Sequence, residues 1–199
     1  EQYSAICGLT HDELVQYYSE EISKLASRYD MEVSQVLSEL KATYDGYHFS
    51  RKLQNVYNPF SVLNALSRSQ LNSYWIATGS NEILNNLSKK YVDEIPSLDG
   101  CLIDADYLEM SDVNMEEPKL FLYQSGYLTI KAVRGDYYIL GYPNKEVKKA
   151  MFEMVLPMMT NKSSSEVNTL IQKLKLNLCI GNVDEAMLCL KGLVAGTPY

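Results

Sequence analysis

The stretch LFLYQSGYLTIKAVRGDYYILGYPN, residues 120–144, decides the fold that we predict for this chain. It opens with an apolar run typical of a helix end, and Gly126 follows because glycine readily accepts the positive φ found there. Residues 127–133 then alternate with a period of two, a pattern that predicts a half-buried strand. The two predicted faces are Tyr127, Thr129, Lys131 and Val133 on one side, and Leu128, Ile130 and Ala132 on the other.

A turn and a second strand follow directly. Arg134, Gly135 and Asp136 reverse the chain, and residues 137–142 return as the partner strand. Pro143 removes a ladder donor, and Asn144 is a good N-cap for a further helix. A helix that leads into a hairpin and then into another helix is typical of the closing half of a winged helix-turn-helix. We therefore predict a mainly α fold with a β-hairpin wing.

Four helices are predicted before the wing. A capping box at Thr10 to Glu13 starts an amphipathic helix that the apolar spacing extends to Tyr29. The second helix ends at Asp45-Gly46, a turn dipeptide. Asn58-Pro59 starts the third, with Phe60, Leu63 and Leu66 on its inner face, and Ser80 caps the fourth. A short strand at 101–103 and one helical turn at 105–110 complete this part.

Three helices are predicted after the wing. A long helix begins near Val147, and a polar linker at 162–165 precedes two amphipathic helices joined at Gly181-Asn182. These two predict an antiparallel hairpin, and an alternative is that their apolar stripes form a homo-oligomer interface. The stripes are Val167, Leu170, Ile171, Leu174 and Leu178, then Val183, Met187, Leu190 and Val194.

The predicted domain organisation has three segments. Residues 1–112 form a helical lid region, residues 113–160 the winged-helix region, and residues 161–199 a helical hairpin that leads to a further C-terminal domain. The chain has 199 residues and 46% hydrophobic content, which is enough for a packed core. We expect a fragment of a longer protein.

Charge is distributed unevenly along the chain. The net charge is −7, yet residues 119–150 carry six basic side chains against Asp136 and Glu146. The wing is therefore the only basic patch, and it offers a surface for a phosphate backbone that the acidic remainder would repel. The six basic side chains are Lys119, Lys131, Arg134, Lys145, Lys148 and Lys149.

The sequence indicates neither a membrane protein nor a disulfide-stabilised protein. No apolar run approaches the length needed to cross a bilayer, and the first residues lack a signal-peptide pattern, so we predict a cytoplasmic protein without membrane partners. Cys7, Cys101, Cys179 and Cys189 are widely spaced and form no CxxC pair. We interpret them as buried free thiols rather than zinc ligands or disulfides.

The motifs of common enzyme classes do not occur in this sequence. No phosphate-binding loop, GxSxG, HExxH or GxGxxG is found, and the two histidines are far apart. Gly79-Ser80 precedes a predicted helix, where capping by Ser80 is favoured over anion binding. Asp136, Glu146 and Lys148 have the outline of a nuclease D…ExK set, but Pro143-Asn144 starts a helix that points Glu146 and Lys148 apart. We predict no catalytic and no metal-binding residue.

Three aromatic clusters adjoin predicted turns. Packing of helix ends into a shared core is the favoured interpretation, because tyrosine buries its ring while its hydroxyl stays wet. A ligand-stacking surface is the alternative. The clusters are Tyr44/Tyr47/Phe49, Tyr57/Phe60 and Tyr74/Trp75.

Six segments, taken in order, resemble the C-terminal part of a bacterial family of predicted AAA-ATPase-like proteins. The positions of the shared motifs are Tyr44, Asp45, Gly46, Tyr47, Asn58, Pro59, Trp75, Thr78, Gly79, Gly126 and Tyr127. The segments are ICGLTHDEL (6–14), LKATYDGYHF (40–49), VYNPFSVLNAL (56–66), YWIATGS (74–80), LFLYQSGYLTIK (120–131) and YILGYPNKEVK (138–148).

The resemblance implies an ATPase core before this region and a PD-(D/E)XK nuclease-like domain after it. ATP and Mg²⁺ would then be cofactors of the parent protein and not of this fragment, and both domains of the parent would be its partners. The predicted function is non-catalytic: the fragment couples the nucleotide state of the core to the downstream domain. The alternative is a nucleic-acid-binding winged helix in which Lys131, Arg134 and Lys145 contact nucleic acid or a partner.

Overall fold

The computed structural model describes residues 7–75, 91–110 and 117–195, and shows a mainly helical protein with one small antiparallel sheet. The predicted fold class is confirmed. The chain divides into two compact units, Glu1–Asn81 with Ser97–Ala150 and Glu82–Pro96 with Met151–Tyr199. No helix in the described part of the chain is both long and apolar enough to span a bilayer.

Four helices build the first unit's main core. They are α1 (His11–Tyr17), α2 (Ser19–Tyr29), α3 (Val33–Tyr44) and α4 (Pro59–Arg68). The predicted capping box is present, since Thr10 Oγ1 accepts from Glu13 N and the Glu13 side chain accepts from Thr10 N. Leucines 14, 25 and 40 are fully buried in this core, together with Tyr44 and Tyr57.

Two details of these helices differ from the prediction. The first amphipathic helix is two helices, separated at Tyr18, whose φ of −124° and ψ of 26° are not helical. No glycine or proline marks this break, so periodicity alone did not reveal it. In α4 the buried face is Ser61, Val62, Ala65 and Leu66, whereas Phe60 is 46% exposed. The buried stripe of α4 is therefore rotated from the predicted one.

The sheet has three strands in the order β1-β3-β2. Strands β2 (Thr129–Arg134) and β3 (Tyr137–Gly141) form the predicted hairpin, with a bulge between Ile130 and Ala132. Strand β1 (Cys101–Asp104) pairs antiparallel with the other edge of β3. The predicted alternation of burial fails at the start of β2, because Thr129 and Ile130 are both buried. Successive side chains of a strand point to opposite faces, so both faces of the sheet are covered here.

Short helices flank the sheet. Helix α5 (Ala105–Met110) follows β1, and α6 (Pro118–Gln124) precedes β2. Helix α7 (Lys145–Thr160) follows β3, and Asn144 caps it as predicted, because its Oδ1 accepts from Val147 N at 3.1 Å. The expected helix capped by Ser80 lies outside the described residues.

The second unit contains the predicted helical hairpin. Helices α8 (Ser164–Cys179) and α9 (Val183–Val194) are joined through Gly181, at φ +75°, and Asn182, which caps α9. The apolar stripe predicted on α9 is not its buried face. Ala186 and Cys189 are buried, whereas the predicted stripe is 42–60% exposed at Val183, Met187, Leu190 and Val194. Leu178 of α8 is exposed as well.

Small side chains explain why this face of α9 is the buried one. Ala186 is 1% exposed, and a Cβ added to Gly192 would lie 3.4 Å from Leu170 Cδ2 of α8. Small residues let two helices approach closely, and close approach gives more contacts along both backbones. The size of the side chains, more than their hydrophobicity, therefore explains which face of α9 packs against α8.

Candidate functional site

Most of the motif positions converge on one place in the first unit. We call this place the motif junction: the loop of residues 45–48 after α3, Asn58, Trp75, Gly126-Tyr127, and the start of α7 at Asn144 and Glu146. The loop leaves α3 at Asp45, and Asn144 Nδ2 donates to the Asp45 carbonyl oxygen at 3.1 Å. One asparagine thus caps α7 and holds the end of α3.

The glycine in this loop is required by a close approach. Gly46 has φ +97°, and a Cβ built on it would lie 2.3 Å from the Pro143 carbonyl oxygen. Both the backbone conformation and the contact exclude a side chain at this position. The Asp45-Gly46 turn, predicted as a helix end, is therefore also the contact surface for the segment between β3 and α7.

His48 joins the loop to strand β2. Its Nδ1 lies 2.6 Å from the Ile130 carbonyl oxygen, and its Nε2 lies 2.5 Å from Asn55 Oδ1. Its backbone N–H donates to Thr129 Oγ1 at 2.8 Å, and the Thr129 hydroxyl donates back to the His48 carbonyl at 3.1 Å. These bonds explain the burial of Thr129, because its hydroxyl is satisfied by the loop rather than by water.

Asn58 and Pro59 hold the other end of the loop. The Asn58 backbone N–H donates to the Tyr44 carbonyl at 2.9 Å, and its side-chain oxygen caps α4 through Ser61 N at 3.2 Å. Pro59 occupies the first turn of α4, where it needs no hydrogen-bond donor. Tyr47 pairs with Val56 through two backbone hydrogen bonds, so the loop is tied at both ends.

Glu146 contributes the most deeply buried carboxylate of the junction. It is 2% exposed, and its Oε1 accepts from the backbone N–H groups of Tyr74 and Trp75, the latter at 2.9 Å. Its Oε2 is buried and has no hydrogen-bond partner among the described residues. The Trp75 ring meets the Tyr127 ring edge-on, with centroids 4.4 Å apart. Glu146 therefore anchors the segment that carries the only tryptophan of the sequence.

Burial changes the titration of the junction's side chains. Desolvation raises the pKa of Asp45, whose Oδ1 is buried and lacks a hydrogen-bond partner within the described ranges. Burial also raises the pKa of the Tyr47 hydroxyl, and the nearby Glu146 adds to this shift. Tyr47 therefore keeps its proton at neutral pH. Among the described residues, no three His, Cys, Asp or Glu side chains are arranged to hold a metal ion.

The basic residues of the wing have different environments. Lys131 Nζ donates to the Pro143 carbonyl at 2.9 Å, and desolvation lowers its pKa. Lys145 lies 3.5 Å from Glu39, and Lys148 lies 2.7 Å from Asp99. Arg134 is exposed at the end of β2. Two of the three expected contact residues, Lys131 and Lys145, are thus engaged within the protein.

The outline of a nuclease set is not assembled here. Asp136 is exposed in the hairpin turn, whereas Glu146 is buried against Tyr74 and Trp75, and Lys148 is exposed. The predicted divergence of Glu146 and Lys148 on the first turn of α7 is therefore observed. Thr78 and Gly79, the remaining motif positions, lie outside the described residues.

Sequence reasoning missed three contributors to the junction: His48, Thr129 and Glu146 as a structural carboxylate. His48 and Glu146 fall within the motif segments 40–49 and 138–148, so their position in the sequence carried a signal. Thr129 falls within the motif segment 120–131 as well, but a threonine in a strand is ordinarily explained by strand preference, so its buried contact with the loop was not predicted.

The fold and the junction define a mainly helical protein in which a helical region and a three-stranded sheet are joined by a set of buried hydrogen bonds. The chain is similar to the "Uncharacterized protein in vnfD 5'region" of Azotobacter chroococcum mcd 1, with 29% identity over 159 residues. The match covers 78% of this chain and 28% of that protein, so the chain spans less than a third of its relative. No family model and no solved structure matches this chain.

Proposed function

We propose that this chain is a non-catalytic coupling region of a larger ATPase, which transmits the nucleotide state of an ATPase core to a nuclease-like domain. The motif junction is the observation that carries the proposal. It joins the end of α3, the strands of the wing and the start of α7 through buried hydrogen bonds. Buried polar contacts of this kind are specific in geometry, so the joined elements move together.

The junction has one property that suits coupling. Its bonds connect segments that are far apart in the chain: Asp45 with Asn144, His48 with Ile130, and Glu146 with Trp75. A displacement of the first helices would be passed to the wing and to α7 through the loop of residues 45–48, which these hydrogen bonds hold in place. The length of the Azotobacter relative, more than three times the matched region, is consistent with further domains.

The test uses the longer protein that the proposal requires. Hydrogen exchange of the wing amides is measured with and without ATP and Mg²⁺, in the wild type and in Asn144→Ala, with Gln16→Ala as an exposed control. We expect ATP to change wing exchange in the wild type and the control, and Asn144→Ala to abolish the change while ATP still binds. An unresponsive wild-type wing would refute the proposal, as would ATP turnover by the 199-residue chain alone.

The alternative of a nucleic-acid-binding wing has less support from the geometry. Among the described residues, Lys131 and Lys145 are engaged with Pro143 and Glu39, whereas Arg134 is exposed at the end of β2. The coupling role is therefore the function that we put forward.

A further inference from the structure

A cavity of about 530 Å³ lies in the first unit, next to the motif junction. Its walls come from the loop after His48, from α5, from the end of α6 and from the sheet. Phe49, Leu108 and Ile130 supply apolar surface, and the rings of Tyr123 and Tyr138 line the same space. A volume of a few hundred Å³ that combines apolar walls with a few convergent polar groups is typical of a small-molecule site.

Three polar residues of this cavity, Arg51, Tyr138 and Glu109, form one connected set. Arg51 Nε donates to the Tyr138 hydroxyl oxygen at 3.0 Å, and that hydroxyl donates to Glu109 Oε1. The Arg51 guanidinium also lies over the Tyr138 ring, 5.4 Å from its centroid, and its Nε is 3.9 Å from Glu109 Oε1. Tyr138 therefore fixes the positions of one cation and one anion at the cavity.

Part of the hydrogen-bonding capacity of this pair is unused. Within the described part of the chain, the two terminal nitrogens of Arg51 and the second carboxylate oxygen of Glu109 make no hydrogen bond. Burial raises the pKa of both Tyr123 and Tyr138, so their hydroxyls remain neutral. A fixed guanidinium fork, a free carboxylate oxygen and two neutral hydroxyls thus face one space.

The charges narrow the class of ligand. Arg51 and Glu109 cancel, and Asp106 adds further negative potential near Arg51, which disfavours a phosphate dianion. A neutral heterocycle would offer Arg51 and Glu109 only uncharged partners, and hydrogen bonds to uncharged partners are weaker. A zwitterion gives each charged group an opposite charge, and charge-assisted hydrogen bonds are the stronger ones. An α-amino acid carries both charges on one carbon, and the side chains of Arg51 and Glu109 are neighbours, with Nε and Oε1 3.9 Å apart.

We propose that this cavity binds a free α-amino acid with an apolar side chain. Its carboxylate would lie on the Arg51 fork and its ammonium on Glu109, with the side chain against Phe49, Leu108 and Ile130. The charged groups of this site are not part of the motif junction, and the inference does not depend on the coupling role.

The experiment titrates the 199-residue chain with L-phenylalanine and L-leucine, and follows binding by calorimetry and amide chemical shifts. We expect shifts confined to the residues around the cavity. N-acetyl-L-phenylalanine, which lacks the ammonium, and L-phenylalaninamide, which lacks the carboxylate, should each bind at least about tenfold more weakly. Binding of either analogue as tight as that of L-phenylalanine would overturn the assignment. Tighter binding of guanosine, a neutral heterocycle, than of L-phenylalanine would overturn it as well.

Two variants and two controls assign the residues. Arg51→Gln and Glu109→Gln are exposed substitutions, and each should weaken L-phenylalanine binding by at least about tenfold. Arg134→Gln and Glu39→Gln change the net charge equally but lie outside the cavity, and they should leave binding unchanged. Circular dichroism checks that each variant is folded. No binding of either amino acid at millimolar concentration, or unaltered binding by Arg51→Gln, would refute the proposal.

Discussion

Gly46 shows how much one residue contributes to the motif junction. Its positive φ is an ordinary turn requirement, and the sequence predicted it from the Asp-Gly pair. The contact with the Pro143 carbonyl is an additional requirement, and it comes from a segment almost a hundred residues away. Gly135, at φ +58°, has the first requirement without the second, because a Cβ built on it would meet no described atom within 4 Å.

The two glycines make a matched pair for a stability measurement. Gly46→Ala should lower the free energy of unfolding by about 3 kcal/mol or more, because backbone strain and a clash with a buried carbonyl both oppose the methyl group. Gly135→Ala should lower it by only about 1 kcal/mol, since strain acts alone. Urea denaturation of both variants measures the difference, and equal losses would contradict the close approach at Pro143.

Asp45 predicts a pH dependence of stability. Its pKa in the folded protein is raised above the ordinary value of 3.8, chiefly by desolvation. The folded state therefore binds the proton more tightly than the unfolded state, and this group makes stability fall as pH rises from about 3.8 through the raised pKa.

Asp45→Asn isolates this contribution. The variant should gain stability relative to the wild type as pH rises through that interval, and the difference should be constant above it. Denaturation series from acid to neutral pH measure the difference, which excludes other titrating groups because they are common to both proteins. A difference that is independent of pH would contradict the raised pKa.

At the scale of elements, the packing of α8 and α9 shows where periodicity fails. The sequence predicted one apolar stripe on α9, made of its larger residues. That stripe, with Val183 and Met187, is exposed in the structure. The structure places Ala186 and Cys189 against α8, because a row of small residues permits close packing that a row of large ones prevents.

Substitutions on the two faces of α9 test this packing. Ala186→Met should lower the free energy of unfolding of the hairpin by about 1–3 kcal/mol, because it inserts volume into the contact with α8. Met187→Ala should change it by no more than about 0.5 kcal/mol, because Met187 is 56% exposed. Thermal melts followed by circular dichroism compare the two, and the reverse order would restore the face predicted from the sequence.

At the scale of the whole molecule, two features oppose the binding of a polyanion. One is the net charge of −7, and the other is that cations of the wing region make contacts within the protein. Lys131 is engaged with a backbone carbonyl, and Lys145 and Lys148 are paired with Glu39 and Asp99. Two of the six basic side chains of residues 119–150 are thus paired with carboxylates, and the acidic remainder of the chain opposes a polyanion.

We predict that the chain does not bind duplex DNA, even at low salt. Fluorescence anisotropy with a labelled duplex measures this directly, with Arg134→Glu as the variant and Glu39→Gln as a control that reduces the negative charge. Salt-dependent binding that Arg134→Glu abolishes would favour the nucleic-acid alternative over the coupling role.

Interactions between residues that are close in the sequence were sufficient to predict much of the fold. The hairpin, the caps at Thr10, Asn58 and Asn144, and the turns at Gly46 and Gly181 were all readable from neighbouring residues, because caps and turns are satisfied within a few positions of the chain. Only the tertiary structure revealed the break at Tyr18, the third strand's place beside β3, and the buried roles of His48 and Glu146. These depend on partners from distant segments, and the pairing of Glu146 with Trp75, or of Arg51 with Tyr138, has no periodicity that a linear sequence displays.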